Sequence, residues 1–132
     1  MNELSWWKRI CFVILLCAAT AVASSAQTFT NLVSFNGTDG ANPYYMSLVQ
    51  GTDGNFYGTT SIGGANNYGT VFKVTSAGAL TTLHSFSFDL NVTDGAWPVA
   101  GLVQATNGNF YGTTYQGGAN NFGTGSRASA FV

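Results

Sequence analysis

The stretch that decides the fold occurs twice: residues 48–70 read LVQGTDGNFYGTTSIGGANNYGT, and residues 102–124 read LVQATNGNFYGTTYQGGANNFGT. Only five of the 23 aligned positions differ, and each position lies 54 residues from its copy. A constant separation of this order is the signature of a repeat protein, in which one small structural unit is built more than once. The chain is therefore predicted to consist of tandem structural repeats.

Each period contains four short segments rich in β-branched and aromatic residues, which favour strands, separated by Gly, Asn and Asp, which favour turns. In the first copy these predicted strands are 46–50, 56–61, 70–75 and 79–86. A further strand is predicted at 28–35 from its β-branched and aromatic composition, and its end matches the last strand of the period at an offset of 51. Four antiparallel strands in a period of this length are typical of a β-propeller blade.

The expected fold is therefore all-β, with antiparallel four-stranded propeller-like blades, about two and incomplete, after an N-terminal signal helix. Residues 27–124 are assigned to the repeats. After Thr124 the first copy predicts VFKVTSAG, but the chain reads GSRASAFV, and the apolar alternation is lost. Residues 125–132 are therefore interpreted as a divergent or truncated tail, and a truncated or frameshifted gene is favoured over natural divergence.

The N-terminus has the organisation of a secretory signal peptide. Lys8 and Arg9 precede an uninterrupted run of apolar and small residues at 10–23. Small residues at 24–26 offer a cleavage site before Gln27, with residues 21–23 as a second option. The alternative is a membrane anchor, but the run is shorter than the roughly 20 residues that a spanning helix needs. Residues 1–26 are therefore predicted to be a signal peptide, and membrane contact is expected only while this segment is uncleaved.

Composition excludes several classes of function. Only 7% of the residues are charged and the net charge is −1, so the chain has no basic surface for nucleic acid. Both cysteines, Cys11 and Cys17, lie in the predicted signal peptide, so no disulfide is expected after cleavage. We expect no cofactor and no metal.

The motifs DGNFYGTT, GGANNYGTVFKVT and TTLHSF, behind a signal peptide, resemble the GloVer-type tandem repeat proteins of bacteria. The resemblance covers nearly all of residues 29–124. It implies a propeller-like architecture and a place at the cell surface or beyond, in proteins built from many repeats and tethered by varied C-terminal anchors. It assigns no activity, so it transfers no functional residue. The chain departs from the family in having under two full repeats and no C-terminal anchor.

Few residues qualify for chemistry. His84 aligns with Val33 of the earlier copy and is expected to be structural, because a general base needs an orienting partner. Asp53 is replaced by Asn107 in its copy, which favours a role in the turn over catalysis. Asp39 and Asp94 keep their charge in matching TDGA turns, but one carboxylate per loop falls short of the six to eight oxygens of a calcium site.

Tyr57 and Tyr111 are the candidates for stacking on a ligand such as a sugar ring. Each follows a phenylalanine in the same strand, and neighbouring side chains point to opposite faces of a sheet. One ring of each pair is therefore expected to pack between blades, which is also the more common role of aromatic residues.

These observations favour an exported, non-enzymatic repeat module that is structural or adhesive, located extracellularly, at the cell surface or in the periplasm. Its partners are unknown, with extracellular polysaccharide or cell-surface components as candidates. The alternatives are a carbohydrate-binding propeller and, less favoured, a fragment of a polysaccharide-active enzyme. Such an enzyme needs paired carboxylates, and the aspartates lie one per turn.

Overall fold

The computed structural model describes residues 26–88 and 94–128, and all regular structure in these residues is β-strand. Residues 1–25, which carry nearly all of the predicted signal helix, lie outside the described residues. Within the described ranges no helix is long and apolar enough to cross a membrane. The chain divides into two compact units, Met1–Thr30 and Asn31–Val132, and residues 26–30 of the first have no regular structure.

The strands of the second unit, in chain order, are β1 (Val49–Gln50), β2 (Phe56–Thr60), β3 (Thr70–Val74), β4 (Leu80–Ser85), β5 (Gly95–Ala96), β6 (Val103–Gln104), β7 (Phe110–Thr113), β8 (Gln116–Gly117) and β9 (Gly125–Ala128). Residues 31–86 form the first module of this unit, and residues 94–128 form the second module.

In the first module, β1 to β4 form one four-stranded antiparallel sheet in sequence order. The predictions of an all-β repeat region and of antiparallel strands are thus confirmed for the described residues, with strands somewhat shorter than expected. The strand predicted at 28–35 is wrong, because these residues have no regular structure. A strand needs a neighbour for its backbone N–H and C=O groups, and no described segment pairs with this one.

The second module repeats the first three strands of this sheet. Val103 lies opposite Tyr111 as Val49 lies opposite Tyr57, and β9 pairs with β7 as β3 pairs with β2. β9 falls within the segment interpreted as a tail, so the backbone continues the sheet through Ala128 although the apolar alternation is lost. Ladder hydrogen bonds form between backbone groups and therefore tolerate this change of side chains.

The GGANN loops have the same backbone conformation in both modules. Asn67 and Asn121 both adopt positive φ, at 62° and 58°. The side-chain oxygen of Asn67 accepts a hydrogen bond from the Gly63 N–H at 3.0 Å, and Asn121 does the same for Gly117 at 3.2 Å. Asparagine tolerates the left-handed conformation better than most residues, which explains its retention at this position.

A pair of threonines joins the ends of two neighbouring strands in the first module, and the second module repeats the pair just outside the ends of β7 and β9. The Thr60 hydroxyl donates to the Ile62 carbonyl at 2.9 Å and lies 2.9 Å from the Thr70 hydroxyl, with both residues fully buried. Thr114 and Thr124 repeat this pair with the same 2.9 Å separation. A buried hydroxyl is costly unless it is hydrogen-bonded, so each pair fixes the position of its loop.

The two modules meet at a stack of aromatic rings. The Tyr57 and Phe110 rings have centroids 4.0 Å apart at an interplanar angle of 27°, and each residue is 1% exposed. Gly51 lies beside the stack: a Cβ there would be 2.8 Å from a Tyr57 ring carbon and 3.1 Å from Phe110 Cζ. The equivalent residue in the second module is Ala105, so the absence of a side chain is needed only at Gly51.

We predict that Gly51→Ala destabilises the chain by about 1–3 kcal/mol, because the added methyl group must displace the stacked rings. The measurement is the free energy of unfolding from urea titration. The reciprocal change Ala105→Gly is the matched control and should cost less than about 1 kcal/mol, since it only frees the unfolded backbone. A Gly51→Ala variant as stable as the parent would contradict the assignment.

Candidate functional site

Tyr57, the first predicted stacking residue, lies in the core between the modules. Its ring stacks on Phe110, and its hydroxyl donates a hydrogen bond of 2.7 Å to Asp53 Oδ2. The side chain is 1% exposed. In this arrangement the Tyr57 ring offers no open face to a sugar.

The contact between Asp53 and Tyr57 shifts the pKa values of both groups. The hydrogen bonds that Asp53 accepts, first from Tyr57 and then from Asn55, lower the pKa of its carboxyl. Burial, followed by the hydrogen bond to Asp53 and the charge of that carboxylate, raises the pKa of Tyr57 to about 12. Both shifts stabilise the same pairing, a phenol that keeps its proton and a carboxylate that accepts from it.

Tyr111, the second predicted stacking residue, lies in β7 of the second module and is half-buried. Asn107 replaces the aspartate there, and its amide donates to the Tyr111 hydroxyl at 3.4 Å. The two candidate tyrosines therefore lie in different sheets and in different surroundings: Tyr57 beside a carboxylate and under a ring, Tyr111 beside an amide.

His84 has a partner that the sequence did not indicate. Its Nε2 lies 3.1 Å from Asp94 Oδ2, and the side chains are 46% and 19% exposed. Asp94 also accepts hydrogen bonds from the backbone N–H groups of Ser87 and Gly95, at 3.0 and 2.9 Å. The repeat pattern did not reveal this partner because the length of the sequence between the two residues differs from that in the first copy.

The His84–Asp94 pair differs in geometry from a catalytic triad. The Ser87 hydroxyl lies 3.4 Å from the Asp94 carboxylate, whereas a triad serine bonds to the imidazole. Asp39, the copy of Asp94, likewise accepts a hydrogen bond from a turn residue, the Asn36 N–H at 2.9 Å. Asp39 therefore closes its turn, and Asp94 holds the backbone N–H groups of Ser87 and Gly95. Across residues 26–88 and 94–128, no three His, Cys, Asp or Glu side chains form a group that could hold a metal ion.

Further contacts between the modules surround the ring stack. The Thr52 N–H donates to Gln104 Oε1 at 3.0 Å, and the Thr59 hydroxyl donates to the Ala100 carbonyl at 3.1 Å. These pairs are more than 40 residues apart in sequence, so no local pattern reveals them. The only signal in the sequence is that Thr52 and Thr59 recur as Thr106 and Thr113.

Trp97 completes the contact between the modules. Its backbone N–H donates to the Tyr68 carbonyl at 2.9 Å, and the two rings meet edge to face with centroids 5.3 Å apart. Trp97 has a positive φ of 52°, and Asn42, at the same place in the first module, has a φ of 51°. The backbone is thus repeated while the side chain differs, and only the tryptophan reaches a neighbouring module.

Two exposed tyrosines form an aromatic surface outside the repeated stretch. Tyr44 is 59% exposed and Tyr45 is 94% exposed, with ring centroids 6.2 Å apart. In the alignment that pairs Asn42 with Trp97, their copies are Val99 and Ala100, so the repeat does not mark them as equivalent positions. Sequence reasoning missed them because it selected residues that recur.

The repeated stretch also links the chain to a known family. Residues 19–130 match the family described as the Gloeobacter/Verrucomicrobia repeat, which confirms the GloVer-type resemblance. No match was found among curated proteins or among solved structures.

We predict that alkaline pH destabilises the chain through Tyr57. Its pKa is about 12 in the fold against 10.0 for an ordinary tyrosine, so its contribution is complete below pH 10.0 and lost as the pH rises to about 12. Tyr57→Phe should remove this part of the pH dependence while keeping the stacked ring. The measurement is the free energy of unfolding in urea from neutral pH to about pH 12.

The matched control is Asp53→Asn, which introduces the residue of the second copy. Burial of Tyr57 remains, so stability should still decline above pH 10.0, but at a lower pH than in the parent. At acid pH the sign is reversed, because the pKa of Asp53 is lowered and its contribution is lost as the carboxylate gains a proton. Identical alkaline profiles for the parent and Tyr57→Phe would refute this assignment.

Proposed function

This chain belongs to the Gloeobacter/Verrucomicrobia repeat family, and on that premise we propose that it is an exported, non-enzymatic repeat module with a structural or adhesive role at the cell surface. The proposal combines three parts: a scaffold made of repeats, delivery outside the cytoplasm, and a role that involves no catalysed reaction. The first two parts rest on different regions of the chain, and the third rests on how the two copies differ.

The scaffold role is supported by what the two copies preserve. The buried pairs Thr60–Thr70 and Thr114–Thr124 and the asparagine-stabilised loops are built twice with nearly the same distances. The carboxylate of Asp53, in contrast, becomes the amide of Asn107. These threonines and asparagines recur, while the carboxylate of Asp53, a group with acid–base chemistry, does not, as expected of a framework.

A propeller-like arrangement is part of this proposal. The proposal is supported by the four-stranded antiparallel sheet of the first module and by the second module, which packs on it through side chains of both sheets. Blades of a propeller are four-stranded sheets that repeat radially about a central channel. The rings of Tyr57 and Phe110 would then lie between adjacent blades.

Export is supported by the sequence of residues 1–26, with a short basic segment, an apolar run and small residues before Gln27. We predict that the chain with a C-terminal epitope tag, expressed in a Gram-negative bacterium, is recovered outside the cytoplasm with Gln27 as its first residue. Fractionation and N-terminal sequencing provide the measurement. Leu15→Asp with Leu16→Asp is the control, since charges in the apolar run should block export. A full-length chain in the cytoplasm would contradict the proposal.

Carbohydrate binding is the second candidate, and the exposed rings of Tyr44 and Tyr45 favour it. Aromatic side chains combine a large apolar face with a polar tip, which suits contact with a sugar ring. Unlike the buried Tyr57, this pair presents neighbouring exposed rings on consecutive residues.

We predict that, if the chain binds glycans, Tyr44→Ala weakens binding by about tenfold, because a lost ring contact is worth up to about 1.5 kcal/mol. The measurement is binding of the tagged chain to a glycan array, followed by titration of any glycan bound. Tyr115→Ala is the matched control, since Tyr115 is 66% exposed and stands apart in sequence. No binding by the parent, or equal losses in both variants, would reject this candidate.

A further inference from the structure

The contact between the modules has two sides, and each module carries a copy of both. The receiving side of the first module, here called the acceptor face, comprises Thr52, Tyr57, Thr59 and Tyr68. The side of the second module that packs on it, here called the donor face, comprises Gln104, Phe110, Trp97 and the Ala100 carbonyl. The residues at the equivalent positions of the repeat give the second module its own acceptor face and the first module its own donor face.

On the acceptor face of the second module three of the four residues are exposed, and the fourth, Tyr111, is half-buried. Phe122, the copy of Tyr68, is 92% exposed, whereas Tyr68 packs against Trp97. Thr106 and Thr113, the copies of Thr52 and Thr59, are also exposed. Phe122 and Thr113 are thus exposed at the positions where the first module packs Tyr68 against Trp97 and buries Thr59.

On the donor face of the first module, the Gln50 side chain already has the conformation that the contact requires. Gln104 bonds its amide to the Gly108 carbonyl at 3.0 Å while its oxygen reaches Thr52. Gln50, its copy, is exposed and makes the matching bond to the Gly54 carbonyl at 3.3 Å. The amide orientation required for the contact is therefore already present in Gln50.

We propose that the chain associates head to tail, with the acceptor face of the second module bound to the donor face of the first module of a second copy. Gln50 of that copy would meet Thr106, as Gln104 meets Thr52 within the chain. The contact joins two different surfaces, so it builds a ring or an open filament rather than a two-fold dimer. This inference does not depend on export or on sugar binding.

Two substitutions make this contact weaker than the one within the chain. Asn42 takes the place of Trp97, so no indole reaches Phe122, and Ala105 adds a methyl group where Gly51 has none. The association is therefore expected to depend on concentration, and Asn42→Trp should strengthen it. The backbone at Asn42 already has the φ that Trp97 adopts, so the substitution fits the local conformation.

Disulfide trapping in the full chain tests the proposal. In a background of Cys11→Ser and Cys17→Ser, a chain with Gln50→Cys is mixed with a differently sized, tagged chain with Thr106→Cys and then oxidised. We expect the mixed disulfide to form at least about tenfold faster than with Ser76→Cys in place of Gln50→Cys. Ser76 is exposed on the turn between β3 and β4 and serves as the control for random encounter.

Two further variants decide whether the trapped contact is the proposed one. Phe122→Asp in the Thr106→Cys chain should slow trapping by about tenfold or more, as the loss of a central aromatic contact does in other interfaces. Because Phe122 is 92% exposed, this change leaves the fold of the chain intact. Asn42→Trp in the Gln50→Cys chain should accelerate trapping. Equal rates for Gln50→Cys and Ser76→Cys, or no response to Phe122→Asp, would overturn the proposal.

Discussion

The stack of Tyr57 on Phe110 is the interaction on which the pairing of the modules depends. It places two of the most deeply buried side chains of the described residues against each other, one from each sheet. Aromatic rings bury a large apolar area and favour offset stacking, so one such pair contributes more than its neighbours. Gly51 leaves the space for the rings, and Asp53 satisfies the phenol that the stack buries.

Around this stack, hydroxyl and amide groups make many of the contacts that charged groups make in other proteins. With only 7% charged residues, the chain uses pairs such as Thr60–Thr70 to join strands. Within the part that the structure describes, no buried side-chain nitrogen or oxygen lacks a hydrogen-bond partner. Such networks hold one arrangement when every member is satisfied, which suits a scaffold that must present the same shape in each repeat.

Much of the fold could be predicted from the sequence because its determinants are local. The alternating strands and the glycine and asparagine turns follow from conformational preferences of single residues, and the period shows that the unit recurs. Strand pairing was harder: residues 28–35 have strand composition, but a strand forms only where a partner supplies hydrogen bonds. The tail shows the opposite case, because Gly125–Ala128 lacks a strand-like sequence pattern and still forms a strand paired with β7.

The candidate site was less predictable than the fold. Whether Tyr57 is a ligand-binding ring or a core ring depends on Phe110, which lies far away in sequence. The pairing of His84 with Asp94 likewise joins two side chains that no local pattern brings together.

The difference between Gly51 and Ala105 has a consequence for the evolution of such chains. Two stretches that agree at all but five of 23 positions are still not interchangeable, because the first is shaped by the module that covers it. Selection on a duplicated unit therefore acts on its place in the array as well as on its own folding. Sequence differences between repeats can therefore show which units packed against a neighbour. A unit moved to another place in the array would keep the substitutions that were selected at its former position.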